Sequence, residues 1–299
     1  MSEARATSAA AALPRDLDPA RVERARLLRT LRRTPVALIG AALVGLVVLV
    51  ALLAPVIAPH APAAQIAKPL LLPGGTHLLG TDEFGRDELS RLMWGARVSL
   101  YVGGLAVLIA LGLGATAGVV AGFFGGWTDD VIMRVMDIVL SLPALVLAIA
   151  ITSVLGPTLT NAMLAIGLVY APTFARVARG PTLTVVQVPF IEAARSIGAS
   201  NWRIIARHVL PNVAAPILVQ MTVSFSTAIL TEAALSFLGL GTQPPTASWG
   251  LMLSAARQYM LIDPWIAVLP GCAIAVTVLG FNLLGDGLRD LLDPRMRTL

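Results

Sequence analysis

Long uncharged stretches alternate with short polar ones along this chain. Val36 to Ala58, Val98 to Thr128, Ile138 to Ala175 and Pro264 to Gly285 carry no charged side chain, and Val213 to Phe237 carries only Glu232. A helix rises about 1.5 Å per residue and needs about 20 apolar residues to cross a bilayer. The first, second and last stretches each predict one span. Ile138 to Ala175 is too long for one, and Gly156-Pro157 divides it into two helices joined by a tight turn. Val213 to Phe237 supplies the remaining span. The pattern therefore predicts an all-α polytopic membrane protein with six transmembrane helices.

Composition fits that class. The chain has 299 residues, 57% hydrophobic and 13% charged, about half the charged share of soluble domains. A basic leader before Val36–Ala58 resembles a signal peptide, with Ala61-Pro62-Ala63 at a cleavage-like position. The apolar run exceeds the usual signal core, so it is read as a retained span. Cys272, the only cysteine, lies in an apolar run with no metal-type spacing and is expected to be a packing residue.

Charge sets the orientation. With both termini cytoplasmic, 17 of the 22 Lys and Arg fall inside, and Lys68, Arg86, Arg91, Arg97 and Arg257 fall outside or at the outer boundary. That asymmetry follows the positive-inside rule. The organisation expected is a basic cytoplasmic tail over 1–34, a first transmembrane helix over 35–58, and an extracytoplasmic segment over 59–96. A transmembrane core follows over 97–288, with a cytoplasmic loop at 189–211, and then a cytoplasmic tail over 289–299. Arg21 to Arg33 is compatible with a plain anchor or a basic surface helix. The net charge of +5 is modest and does not point to nucleic acid.

Within these segments four features stand out. Thr81 or Asp82 is placed to N-cap a short helix from about Glu83. Ala106, Ala110, Gly114, Gly118 and Gly122 recur every four residues and form a face for close helix packing. Gln220, Ser224, Thr227 and Thr231 share one helical face, with Glu232 beside them. That face serves either as interhelical glue or as the lining of a watery path. The fourth is Pro189 to Pro211, a polar island rich in arginine. Pro189 starts a helix with Glu192 in its first turn, and Gly198 suits a helix end. Ser200 is placed to cap a second short helix carrying Arg203 and Arg207, which Pro211 stops. This reads as a rigid helix–turn–helix or as a plain basic loop.

At this point the residues carry a resemblance. Glu192-Ala193-Ala194, then Gly198, then Leu210-Pro211 at fixed spacing resembles the EAA loop of ABC-importer permeases. His208 departs from the aliphatic residue of the general motif. The Trp202-Arg203-Ile204-Ile205 and Arg207-His208 form is similar to the peptide/nickel subfamily. Leu79-Gly80-Thr81-Asp82 with Gly85-Arg86-Asp87 resembles that subfamily's C-type subunit. So do Leu235-Ser236-Phe237-Leu238-Gly239-Leu240-Gly241, Gln243-Pro244-Pro245, Ser248-Trp249-Gly250 and Asp286-Gly287-Leu288-Arg289-Asp290.

The resemblance implies a type I importer transmembrane domain in the cell (inner or plasma) membrane. It implies a second, homologous permease subunit, two ATP-binding subunits (or one fused ATPase) and an extracytoplasmic substrate-binding protein. It implies no cofactor in this chain, with ATP and Mg bound by the partners, and no enzymatic activity of its own. ATPase coupling is then expected at Glu192, Ala193, Ala194, Gly198, Ala199, Ser200, Trp202, Arg203, Leu210 and Pro211. The path is expected at Gln220, Ser224, Thr227, Thr231 and Glu232. Contacts to the binding protein are expected at Asp82, Arg86, Asp87, Gln243 and Trp249. The expected cargo is a di- or oligopeptide, with nickel or another small solute as the alternative. A proton-driven secondary transporter or channel is a further reading, and it requires an essential buried carboxylate. An intramembrane enzyme is the third, but H-E-x-x-H and G-x-S-x-G are both absent from the sequence.

Overall fold

A computed structural model describes residues 35–292, which fold into helices joined by turns and loops, the longest over 58–87. The tail at 1–34 and residues 293–299 lie outside the described residues. In chain order the helices are α1 (Pro35–Ile57), α2 (Glu88–Phe124), α3 (Gly126–Leu140), α4 (Ala144–Leu155), α5 (Leu159–Val186) and α6 (Pro189–Ser196). Then come α7 (Asn201–Ile204), a π-turn (Ile205–Val209), α8 (Leu210–Phe237), α9 (Trp249–Ala256) and α10 (Trp265–Leu292). Five helical segments are long and apolar enough to cross a membrane, and six if the bent α3–α4 pair forms one span.

The long helices sit antiparallel to their sequence neighbours and give the bundle two ends. At one end the start of α1 meets the finish of α10, because a Cβ on Gly287 would strike Ala37 and one on Gly40 would strike the Leu284 backbone. The 189–211 loop lies at this same end, where Trp202 packs edge-on against Phe124 with ring centroids 6.4 Å apart. The opposite end carries 58–87 and 238–264, linked by Trp249 Nε1 donating to the Leu92 carbonyl at 3.0 Å.

α2 and α5 form the central pair. The small-residue face of α2 lets the two backbones touch. A Cβ on Gly114 would meet the Ala171 carbonyl, one on Gly118 the Ala175 carbonyl, and one on Gly122 the Thr182 side chain. One buried cluster runs from this seam through Phe123, Phe174, Ile191 and Val209. A second joins Ala51, Ile229, Trp249 and Phe281 from α1, α8, α9 and α10. Residues facing away from both clusters, such as Leu52, Val56 and Val154, are exposed and apolar. A bilayer solvates such a surface.

Several boundaries differ from the sequence expectation. No short helix starts at Glu83. Asp87 is the N-cap instead, its carboxylate accepting from the Ser90 N–H, and α2 continues unbroken to Phe124. At about 1.5 Å per residue its 37 residues exceed the ~30 Å hydrocarbon core, so the helix starts inside the segment expected to be loop. The third span is not straight, because α3 and α4 meet at 88° across Ser141–Pro143. Pro143, the residue before α4, has no N–H with which to continue α3. α5 does not end at Arg176 but runs to Val186, and α10 runs past 289 to Leu292. Cys272 is exposed rather than packed, on a helix whose outward side is apolar.

Candidate functional site

The loop between α5 and α8 is built as a rigid knob. α6 begins with Pro189 in its first turn, where a missing N–H costs nothing. Its inward face is anchored, because Ile191 and Ala194 are buried in the cluster that also holds Val119 and Phe123. Its outward face is free, with Glu192, Ala193, Arg195 and Ser196 exposed. Helix α6 ends in two hydrogen bonds, Ala199 N–H to the Ala194 carbonyl at 3.1 Å and Gly198 N–H to the Arg195 carbonyl at 2.9 Å. This is a Schellman ending, and it requires the left-handed conformation that Gly198 adopts at φ +82°. Ser196 Oγ adds a bond to the Glu192 carbonyl at 3.0 Å.

Beyond the turn, the backbone at Ser200 has N-cap geometry, yet its side chain makes no capping hydrogen bond. The expected second helix is not separate from the span. α7, the π-turn and α8 form one continuous helical segment, Asn201–Phe237. Pro211 does not stop it. The π-turn just before it widens the backbone, with Leu210 N–H reaching the Ile205 carbonyl. That accommodates a proline ring which would otherwise collide with a carbonyl one turn back. The surface left at the tip is apolar and basic: Ile197 is 85% exposed and Trp202 67%, beside exposed Arg195, Arg203 and Arg207. Arg195 also lies over the Phe123 ring at 5.5 Å, which ties the tip to the end of α2.

Two ion pairs brace the same end. Arg179 donates to both Asp129 oxygens at 2.5 and 2.6 Å, and Arg176 donates to Asp137 Oδ1 at 2.6 Å. They fasten α3 to α5. Sequence reasoning missed them; the signal was two arginines three residues apart on one helix and two acids eight apart on the other.

The residues expected to line a path are mostly drawn into the chain's own packing. Glu232 is fully enclosed. Its Oε1 accepts from Ser236 Oγ at 2.7 Å and Thr242 Oγ1 at 3.3 Å, and its Oε2 from Ser99 Oγ at 3.2 Å. Thr231 pairs with the Tyr170 hydroxyl at 2.8 Å, and Ser224 accepts from Gln220 Nε2 at 3.0 Å. Only Gln220 and Thr227 keep partial exposure. Three hydroxyls satisfy the Glu232 carboxylate inside the bundle. Glu232 is therefore a tie between α2, α8 and the 238–248 loop. Glu232→Leu strands the Ser99, Ser236 and Thr242 hydroxyls. A stranded buried group costs about 1–3 kcal/mol, so the thermal midpoint of the detergent-purified chain falls, and Glu232→Gln restores part of it.

The opposite end follows the same logic. Asp82, Arg86, Asp87 and Trp249 are all buried, and their polar groups bond within this chain. Asp82 accepts from the Phe84 and Arg86 N–H groups at 2.9 Å each, and from Arg86 Nε. Arg91 Nε lies 3.1 Å from the same carboxylate. Thr81 clamps the preceding turn at Pro69–Leu70, donating to the Lys68 carbonyl and accepting from the Leu71 N–H. Asp87 is desolvated by burial, which raises its pKa. Hydrogen bonds from His77 and Ser90, with His60 nearby, outweigh this and hold the carboxyl below its ordinary value. Of the five residues expected at this face only Gln243 is exposed, and its Nε2 donates to the Gly239 carbonyl at 2.9 Å.

Comparison with known proteins places this architecture. Residues 114–298 match the family of binding-protein-dependent transport system inner membrane components, and 24–73 match the N-terminal TM domain of oligopeptide transport permease C. The chain belongs to the binding-protein-dependent transport system inner membrane component family, whose members are membrane permeases of ABC transporters. Among its relatives is the dipeptide transport system permease protein of Alkalihalophilus pseudofirmus, 45% identical over 90% of this chain and 89% of the relative. The di/tripeptide transport system permease protein of Pseudomonas aeruginosa is 48% identical, covering 85% and 86%. The probable D,D-dipeptide transport system permease protein of Escherichia coli is 44% identical over 91% of each. The fold is also similar to a chain of the MetNI methionine ABC transporter in an inward-facing conformation. That match has a TM-score of 0.55 and 18% identity, and covers 68% of this chain and 96% of the other.

Proposed function

We propose that this chain is one of two homologous permease subunits of an ATP-driven importer, and that its cargo is a di- or oligopeptide. The observation that carries the reading is the anchored knob at 189–211, which has a fixed inner face and a free tip made of Glu192, Ala193, Ile197 and Trp202. An apolar, rigid tip on a short helix fits a groove on a partner as helix-in-groove recognition does. The partner is an ATPase subunit, and nucleotide and Mg bind there rather than here.

Sidedness comes from charge. The loop end carries Arg176, Arg179, Arg195, Arg203 and Arg207, and cytoplasmic loops concentrate such residues. Pro35 and Leu292, where the described chain begins and ends, lie at this end and are then on the cytoplasmic side, and the 58–87 and 238–264 segments face a substrate-binding protein. The protein resides in the cell membrane. Closure of the ATPase dimer pushes on α6, and the buried contacts of Ile191 and Ala194 pass that motion to α2 and α5. The peptide cargo rests on the relatives, whose names specify dipeptide, di/tripeptide and D,D-dipeptide transport.

The test is uptake of labelled di-, tri- and pentapeptides in cells with and without this subunit. Loss of di- or tripeptide uptake on deletion, restored by the intact gene, is the expected result. Unchanged uptake of all three removes the peptide assignment.

A further inference from the structure

We propose that His60, His77 and Asp87 form a binding site for a divalent transition-metal ion of the zinc class at the end of the bundle opposite the 189–211 loop. One ligand atom from each of the three lies within 4.8 Å of the others. His77 Nδ1 is 3.0 Å from Asp87 Oδ1, a hydrogen bond that the ion would replace, and His60 Nδ1 is 4.0 Å from Asp87 Oδ2. The two imidazole rings stand 5.7 Å apart, tilted by 40°.

Geometry near the cluster is fixed by its own bonds. The His60 N–H donates to Ser90 Oγ at 3.1 Å, and Ser90 Oγ donates to Asp87 Oδ2 at 2.7 Å. The backbone of His77 exchanges hydrogen bonds with Gly74, and its carbonyl accepts from Gly80 N–H. Three stretches that are apart in sequence are thereby held face to face, with a hydroxyl orienting the carboxylate in the way outer-sphere partners orient metal ligands.

One atom in the cluster has no partner. His60 Nδ1 is shielded from solvent and makes no hydrogen bond. A buried nitrogen without a partner costs about 1–3 kcal/mol, and a metal ion bonded to its lone pair removes that cost. Two imidazole nitrogens and one carboxylate oxygen form a borderline donor set, suited to Zn²⁺ and its neighbours rather than to Ca²⁺ or Mg²⁺. Three protein ligands leave a fourth position for water. Tetrahedral bonds of about 2.0–2.2 Å need the ligand atoms somewhat closer together than the widest pair here. His60 can supply that movement, since its side chain is 36% exposed and sits in the irregular chain after α1.

The ion would act as a clasp. α1 buries only Ala37, Gly40, Ala51 and Ala54, the smallest buried share among the five helices long enough to span alone. A metal bridging His60 to His77 and Asp87 fastens its far end to the start of α2.

The background for testing this is low, because the chain holds three histidines and one cysteine. The full-length chain is purified in detergent with a histidine-free affinity tag and stripped of metal. Zinc alone is then titrated against a chromophoric chelator. One zinc per chain is expected, with a rise in thermal midpoint that saturates at the same equivalent. His60→Gln, at the partly exposed ligand, lowers zinc affinity by about 100-fold or more, beyond what outer-sphere changes do, and abolishes the zinc-dependent rise. His208→Gln, at the other end of the bundle, changes neither. His77→Gln gives a second ligand deletion, and His60→Gln decides alone if that variant does not fold. Absence of stoichiometric zinc in the wild type, or equal affinity in His60→Gln, overturns the site.

Discussion

Gly118→Leu yields no folded, monodisperse protein in detergent, whereas Gly112→Leu in the same helix purifies normally. The contrast isolates the seam between α2 and α5. A Cβ on Gly118 would run into the carbonyl, carbonyl carbon and Cα of Ala175, all backbone atoms that cannot rotate away. A Cβ on Gly112 meets nothing within 4 Å. Overpacked cores typically lose about 1–3 kcal/mol because side chains shift to make room. Here two helix axes must separate, so the loss lies at or beyond the top of that range. Lipid does not help, since helix association in a bilayer rests on close packing rather than on exclusion of water. Size-exclusion profile and thermal midpoint of the two variants are the checks. A well-folded Gly118→Leu protein would mean the seam opens in the functional state.

The second large effect concerns transport rather than folding. Gly198→Val cuts ATP-dependent peptide uptake about tenfold or more while the protein still assembles in the membrane. Open space surrounds Gly198, so valine meets no clash. The penalty is conformational: φ is +82°, and an L-residue there costs about 1–2 kcal/mol, with more for a β-branched one. The chain relieves that strain by abandoning the turn, which swings the exposed face of α6 away from its partner. Gly198→Asn, which tolerates left-handed geometry, keeps most of the activity. Glu192→Ala is the companion change. Its side chain is exposed, and surface substitutions move stability by about 0.5 kcal/mol or less, so a large loss of uptake there reflects lost coupling. Wild-type uptake in both Gly198→Val and Glu192→Ala would remove the loop from the mechanism.

What was legible in the sequence was whatever leaves a local trace. Uncharged runs gave the long helices, the four-residue recurrence from Ala106 to Gly122 gave the seam, and Pro189, Glu192 and Gly198 gave the start, first turn and end of α6. What escaped depended on partners far along the chain. Glu232 looks like a path residue in isolation. Its role as a tie needs Ser99, 133 residues away. Asp82 and Arg86 look like exposed charges until Arg91 and the 65–71 backbone close around them. Pro211 reads as a stop because prolines usually are, and only the π-turn at Ile205–Val209 shows how the helix absorbs it. The bend at Ser141–Pro143 lies inside an uncharged run, where hydrophobic periodicity carries no directional signal.

The central claim is that this subunit converts work done by a partner ATPase at the 189–211 knob into peptide movement. The most direct measurement uses proteoliposomes holding this chain, its partner permease and the ATPase subunits, with the binding protein outside and ATP inside. Entry of a labelled dipeptide is followed with and without ATP, and with a protonophore. The account predicts uptake that requires ATP, ignores the protonophore, and is lost with Glu192→Ala although the complex still assembles. Uptake that proceeds without the ATPase subunits and collapses when the proton gradient is dissipated would contradict it.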